Sequence, residues 1–210
     1  MTAVAASSTA MAAVAASSTA MTAVWMNTTA LQIVQSNADA WAIFTAATSP
    51  VMAKVIANLA GLDPNAFADM TAIAASSTAM TAIAASSTAM TAVSASATAR
   101  GAITASSVAS TALMNSPLKT TTAAITIAQA YVNILTQRAY LLSVISSSAN
   151  ARDITISNVF ATTAATTSSV VVSGVTSGGQ SSISRFTNTG TTQALASSSS
   201  YNYTFTYIPC

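Results

Sequence analysis

One ten-residue phrase recurs almost letter for letter, and a fixed short period confines a chain to folds in which every unit meets similar surroundings. The phrase is Met-Thr-Ala-Val-Ala-Ala-Ser-Ser-Thr-Ala at Met1 to Ala10, and Met11 to Ala20 changes only Thr to Ala. Met21 to Ala30 diverges at its end, and the phrase returns at Met70, Met80 and Met90 before fading through Arg100 to Ser110. Fibres and solenoids are built this way. A catalytic site needs unlike residues converging on one point, and a translational repeat works against that. The repeat therefore reads as a structural protein and not as an enzyme.

The chemistry available agrees. The 210 residues include no His, no Glu, four Asp and one Cys. Acid–base catalysis and metal binding draw on His, carboxylate and Cys clusters. Asp39, Asp63, Asp69 and Asp153 are scattered singly, so the sequence nominates no catalytic, cofactor-binding or metal-ligating residue and no cofactor. Charged residues make up 5% of the chain, against roughly 25% in ordinary soluble domains. The surface must then be covered by hydroxyls or buried between chains. A net charge of +2 without clustered Lys or Arg gives no footprint for nucleic acid. Cys210 has no partner in its own chain for a disulfide.

No cation precedes Lys54, so the amino terminus lacks the basic region of a secretory signal, and the whole chain is expected to be the working protein. Residues 1 to 38 are uncharged but rich in Ser, Thr and Ala. They lack the run of about 18 apolar residues that a span needs, so no membrane span is expected.

Ala and Met favour helix, and no Gly or Pro interrupts residues 1 to 49. Met1, Val4, Met11, Val14, Met21 and Val24 are spaced 3, 7, 3, 7. With Ser8 or Ser18 as an intermediate contact the spacing becomes 3, 4, 3, a seam for a tight left-handed supercoil. Alternatively, Ser-Ser-Thr caps a new short helix in every unit and the chain zigzags in helical rungs. The decad leaves the two open, while a strand fits it poorly. So thin a stripe needs packing partners, and Met with β-branched Val and Ile suits three strands. The expected fold is mainly α and fibrous, a parallel homotrimeric helical or coiled-coil rod with a small C-terminal β domain.

Five segments follow. Residues 1–49 are the first repeat region, in which Trp25 and Trp41 are packing anchors. Residues 50–69 are a helix-breaking insert: Ser49-Pro50 starts a helix that ends at Gly61, and Asp63-Pro64 caps another running through Phe67. Residues 70–118 are the second repeat region, and Asn115-Ser116-Pro117 restarts a helix. In 119–149, Ala124, Ile127, Tyr131, Ile134, Arg138, Leu141 and Ile145 form a heptad read as a coiled coil, with Arg138 snorkelling at the edge of the seam. Residues 150–210 form the small β domain, with strands at 153–157, 169–173, 182–186 and 201–208. Gly174 to Gly179 lacks the Lys and following helix of a phosphate cradle and reads as a turn. Tyr201, Tyr203, Phe205 and Tyr207 share one strand face, which is expected to be buried; stacking on sugar is the competing reading.

Tandem Ala-Ala-Ser-Ser-Thr-Ala-Met-Thr-Ala-Val/Ile units broken by Ser-Pro, over residues 1 to 30 and 70 to 118, resemble the repeat stretches of bacteriophage tail-fibre and minor virion proteins. The resemblance implies a fibrous, trimeric virion protein of the tail, baseplate, collar or head surface. Its partners would be its own copies and other virion structural proteins, and no catalytic residue carries over. The chain is short and lacks a long receptor-binding head, which favours a connector, short fibre or decoration fibre. The alternative is a fibre that holds a host-surface glycan with its C-terminal β domain. A surface adhesin or ice-binding protein is a more distant reading, and the missing signal peptide counts against it.

Overall fold

The repeat makes a short helix of at most about two turns in each unit and then stops, and a single residue causes the stop. In the computed structural model, which describes residues 1–160, 167–188, 190–197 and 200–210, the seventh residue of the unit takes extended backbone, with φ −111° and ψ 111° at Ser17. The side-chain oxygens of Ser7, Ser17, Asn27, Asn37, Ser76, Ser86, Ser96 and Ser106 each accept the N–H three residues on, at 2.9 to 3.4 Å. This is N-capping, repeated at a period of ten. Asn27 and Asn37 keep the cap where the rest of the phrase has drifted.

The helices are α1 (Thr2–Ala5), α2 (Ser8–Ala15), α3 (Ser18–Trp25), α4 (Thr28–Gln35), α5 (Ala38–Thr45), α6 (Ser49–Leu59), α7 (Met70–Ala75), α8 (Ser77–Ala84), α9 (Ser87–Ala95), α10 (Ala97–Thr104) and α11 (Ser107–Met114). Helix α1 packs on α4, α2 on α5 and α3 on α6; later, α6 packs on α9 and α7 on α10. The chain thus winds as a solenoid with three short helices per coil. Met11, Met21, Met70, Met80, Met90, Ile73, Ile83 and Val93 point inward and are fully buried.

The trimeric coiled-coil rod expected from the seam is therefore corrected. The longest helix has 11 residues, and the Met–Val/Ile stripe is covered by the chain's own neighbouring coils. Of the two readings of the decad, short capped rungs is the one adopted.

Helix α6 is the hub. Pro50 sits in its first turn, where a missing N–H costs nothing. Its end is a Schellman closure, with Leu62 N–H donating to the Ala57 carbonyl at 2.9 Å and Gly61 N–H to the Asn58 carbonyl at 3.0 Å. Gly61 has φ +73°, which suits glycine. Met52, Ala53, Val55, Ile56 and Ala57 are buried against α3, α7, α8, α9 and α10. Trp25, Trp41 and Phe44 form an aromatic cluster with centroids 5.7 to 6.1 Å apart, as anchors should. The helix expected from Asp63-Pro64 is absent: Asp63 Oδ1 accepts the Asn65 N–H at 2.9 Å in an Asx turn, and Asp69 caps α7 instead.

The chain divides into two compact units, Met1–Ala112 and Leu113–Cys210. The second unit carries β1 (Thr120–Thr121), β2 (Ile125–Ile127), β3 (Val132–Leu135), β4 (Ala139–Ser146), β5 (Arg152–Phe160), β6 (Thr167–Val175), β7 (Ser181–Phe186), β8 (Thr192–Ala196) and β9 (Tyr201–Pro209). One antiparallel sheet runs β1-β9-β4-β7, with β2 also on β9; the other runs β3-β8-β5-β6. Their inner faces share one core, with Leu141, Val144, Tyr203 and Phe205 from the first sheet and Ile154, Ile156, Val172 and Ala194 from the second.

The coiled coil placed at 119–149 is a second correction. Ile127, Ile134 and Leu141 are core residues, but on three different strands. Strand β4 is buried on both faces, so its run of apolar residues carries no usable period. Nor does a helix restart at Asn115-Ser116-Pro117; Ser116 Oγ accepts the Leu118 N–H at 3.0 Å and the chain turns into β1. With 43% helix and 28% strand the protein is α plus β, and its β unit begins well before residue 150.

Two capping hydroxyls also tie one coil to the last. Ser86 Oγ accepts the Ala89 N–H and donates to the Leu59 carbonyl at 3.0 Å; Ser106 Oγ likewise donates to the Ala74 carbonyl. Ser86→Ala should therefore cost about 1–2 kcal/mol, the loss of a cap and a second hydrogen bond. The exposed Ser77→Ala should stay within about 0.5 kcal/mol of the parent. Urea unfolding of both variants checks the difference.

Candidate functional site

A groove of about 300 Å³ lies between α3 and α6 and interrupts the regularity of the solenoid. Ser18, Thr22 and Met26 line it from α3 and its C-cap, Lys54 and Asn58 from α6, and Pro64 from the turn beyond. Lys54 and Asn58 are four residues apart, which places both side chains on one face of α6. Ser18 opens α3, at the positive end of that helix. Lys54 is half-buried, Thr22 is buried and Met26 is exposed. Sequence reading did not single out this group. The signals it offered were Lys54, the first cation of the sequence, in the insert between the repeat regions, and a methionine at Met26, where most units carry Ala.

The β unit has two further hollows, both lined by uncharged groups. One of about 300 Å³ is bounded by Thr122, Asn133, Thr136, Gln137 and Tyr207. A shallower one of about 390 Å³ lies over Ser157, Asn158, Ser168, Ser169, Thr191 and Gln193. Asn158 takes φ 59° there at a break in strand register and donates from Nδ2 to the Thr191 carbonyl at 3.2 Å.

The aromatic face of β9 lies inside this unit. Tyr203 and Phe205 are fully buried, while Tyr201 and Tyr207 pack against the core from its margin. Arg152 stands 4.8 Å over the Tyr201 ring and donates to its hydroxyl at 2.9 Å. These rings are core, and stacking on a sugar is not open to Tyr203 or Phe205. Arg138 is half-buried rather than extended on a helical seam, and its carbonyl accepts the Cys210 N–H at 3.1 Å.

No group of three His, Cys, Asp or Glu that could hold a metal occurs among the described residues. No single helix among them is long and apolar enough to cross a membrane.

One titration is displaced by the core. Burial pushes the Tyr203 phenol up, partly offset by the Ser146 hydroxyl on the paired strand and by the Arg152 guanidinium. An unfolded tyrosine loses its proton near about pH 10. Above that pH the native state holds more protons than the unfolded one, so stability is intact below about pH 10 and falls as pH rises through the folded value. Urea midpoints measured on either side of about pH 10 should show this decline. Tyr203→Phe should flatten it.

Comparison with known proteins finds no family model that matches the chain and no significant sequence match among curated proteins.

Proposed function

We propose that the protein is a structural component of a bacteriophage virion, a short fibre or connector of the tail, baseplate, collar or head surface. The observation that supports this reading is the use of the repeat. Residues 1 to 30 and 70 to 118 carry the units that resemble phage fibre repeats. From Met11 onward the units contribute similar short helices with the Met at Met11, Met21, Met70, Met80 and Met90 buried inward and most of their Ser and Thr outside the core. Such a unit supplies reach and surface, and it multiplies by adding coils without building a reaction centre. Its partners in this reading are other virion structural proteins and further copies of itself. Host-glycan binding, the alternative drawn from the aromatic strand, loses its main support because Tyr203 and Phe205 are core residues.

The test is incorporation. Mass spectrometry of density-purified phage particles from the producing host should detect the chain among the virion proteins, and gold-labelled antibody should decorate one defined place on the particle. Recovery of the chain only from particle-free host fractions would reject the proposal.

A further inference from the structure

We propose that the free edge of β6 is a self-pairing surface, through which two copies of this chain join antiparallel about a two-fold axis at Val171. Strand β6 ends the sheet β3-β8-β5-β6, and no strand among the described residues pairs with its other side. A free edge presents unpaired N–H and C=O groups to any strand that fits it. Proteins normally guard such an edge with charge, proline, bulges or short length.

The other edges of the β unit carry such guards. Strands β1 and β2, which share one side of β9, have two and three residues. Strand β3 has four, with a register break between Asn133 and Leu135. Strand β7 carries Arg185 and takes φ 51° at Ser184. Strand β6, by contrast, has nine residues, no charge and no proline, and Gly174 with its φ of +72° lies toward the end. Val171 is 59% exposed in mid-strand, between the exposed Ser169 and Ser173 on the same outward face. The charges on neighbouring β5 do not guard it: Arg152 donates to the Tyr201 hydroxyl, and Asp153 accepts the Gly174 N–H at 3.1 Å.

The sequence of the edge identifies the occupant. Ser169-Val170-Val171-Val172-Ser173 reads the same in both directions. Laid antiparallel on its own copy with Val171 opposite Val171, it sets Val170 opposite Val172 and Ser169 opposite Ser173. The outer face gains a Val171–Val171 contact flanked by Ser–Ser pairs, and the inner face gains Val170–Val172 pairs that cover the half-buried Val170. A one-residue shift would turn one copy's inner face outward, and a two-residue shift would set Ser169 against Val171. The pairing joins two four-stranded sheets into one continuous sheet. So short a ladder makes a weak dimer, dominant only where copies are concentrated. It is a property of the edge and does not rest on the virion reading.

The test follows the full chain by sedimentation and amide hydrogen exchange from micromolar to millimolar concentration. The unaltered protein should pass from monomer to dimer, and exchange within residues 169 to 173 should slow severalfold while that of β3 stays the same. Val171→Lys, which sets like charges together at the axis, should weaken the dimer by about tenfold or more, whereas Val171→Ile should keep it. In chains that also carry Cys210→Ser, Val171→Cys should give disulfide-linked dimers under mild oxidation, because directly opposed residues lie within disulfide reach. Ser169→Cys alone should not cross-link, but a mixture of Ser169→Cys and Ser173→Cys chains should. A monomer at every concentration, exchange at 169 to 173 that ignores concentration, a Val171→Lys dimer as tight as the parent, or equal cross-linking by Ser169→Cys alone would each overturn the proposal. Sedimentation and exchange use the unaltered protein, so the conclusion stands even if a variant misfolds.

Discussion

The solenoid depends on one hydrogen bond made again and again, from the N–H of the third helical residue to a Ser or Asn side chain. Without an extended residue at every seventh place, an Ala-rich sequence of this length has every local reason to continue as helix. The cap supplies the missing reason to stop, because its oxygen satisfies an N–H that a helix start leaves open. Eight helical residues and a corner then return the apolar side chains to the inside on each pass. At Ser86 and Ser106 the same hydroxyl also donates to a carbonyl of an earlier coil. Local chain direction and packing between coils are thereby fixed by the same atom.

This division of labour explains what the sequence disclosed. The capping residues, the Pro50 start, the Gly61 stop and the four later strands could be read because each is decided within a few residues. The coil could not. Whether Met and Val cover a second chain or the next turn of their own chain depends on the angle at the corner, and the seventh residue's identity does not encode that angle. The heptad at 124–145 misled for a different reason. With both faces of β4 buried, Leu141, Leu142, Ser143 and Val144 are all inside, and spacings of three and four can be picked out of any such run. The β-branched and aromatic content of the segment was the better guide, since Ile125, Ile127, Tyr131, Val132 and Ile134 favour strand.

The groove was invisible for a third reason. Thr22, Met26, Lys54 and Asn58 lie on two helices that are separated in sequence by most of a coil. No linear motif joins them. Only the stacking of α3 on α6 brings them together, and nothing in the phrase itself announces which units will stack.

Near-identical units create a further problem, because a coil that slips by one or more decads buries almost the same surface. The irregular residues remove that degeneracy. Arg100 occupies the place of Met in its unit and is 5% exposed, with its guanidinium donating to the Ser94 carbonyl at 2.6 Å. Slipped by a decad, the same guanidinium would meet the slot that holds Met90, which is apolar and fully buried, and a charge there without its hydrogen bonds is strongly disfavoured. The Trp25–Trp41–Phe44 cluster and the eleven-residue α6 act the same way, since each fits one neighbour and no other unit has its volume. The regular positions therefore supply the burial and the irregular ones select a single register for it, which is how so repetitive a sequence can have one native state.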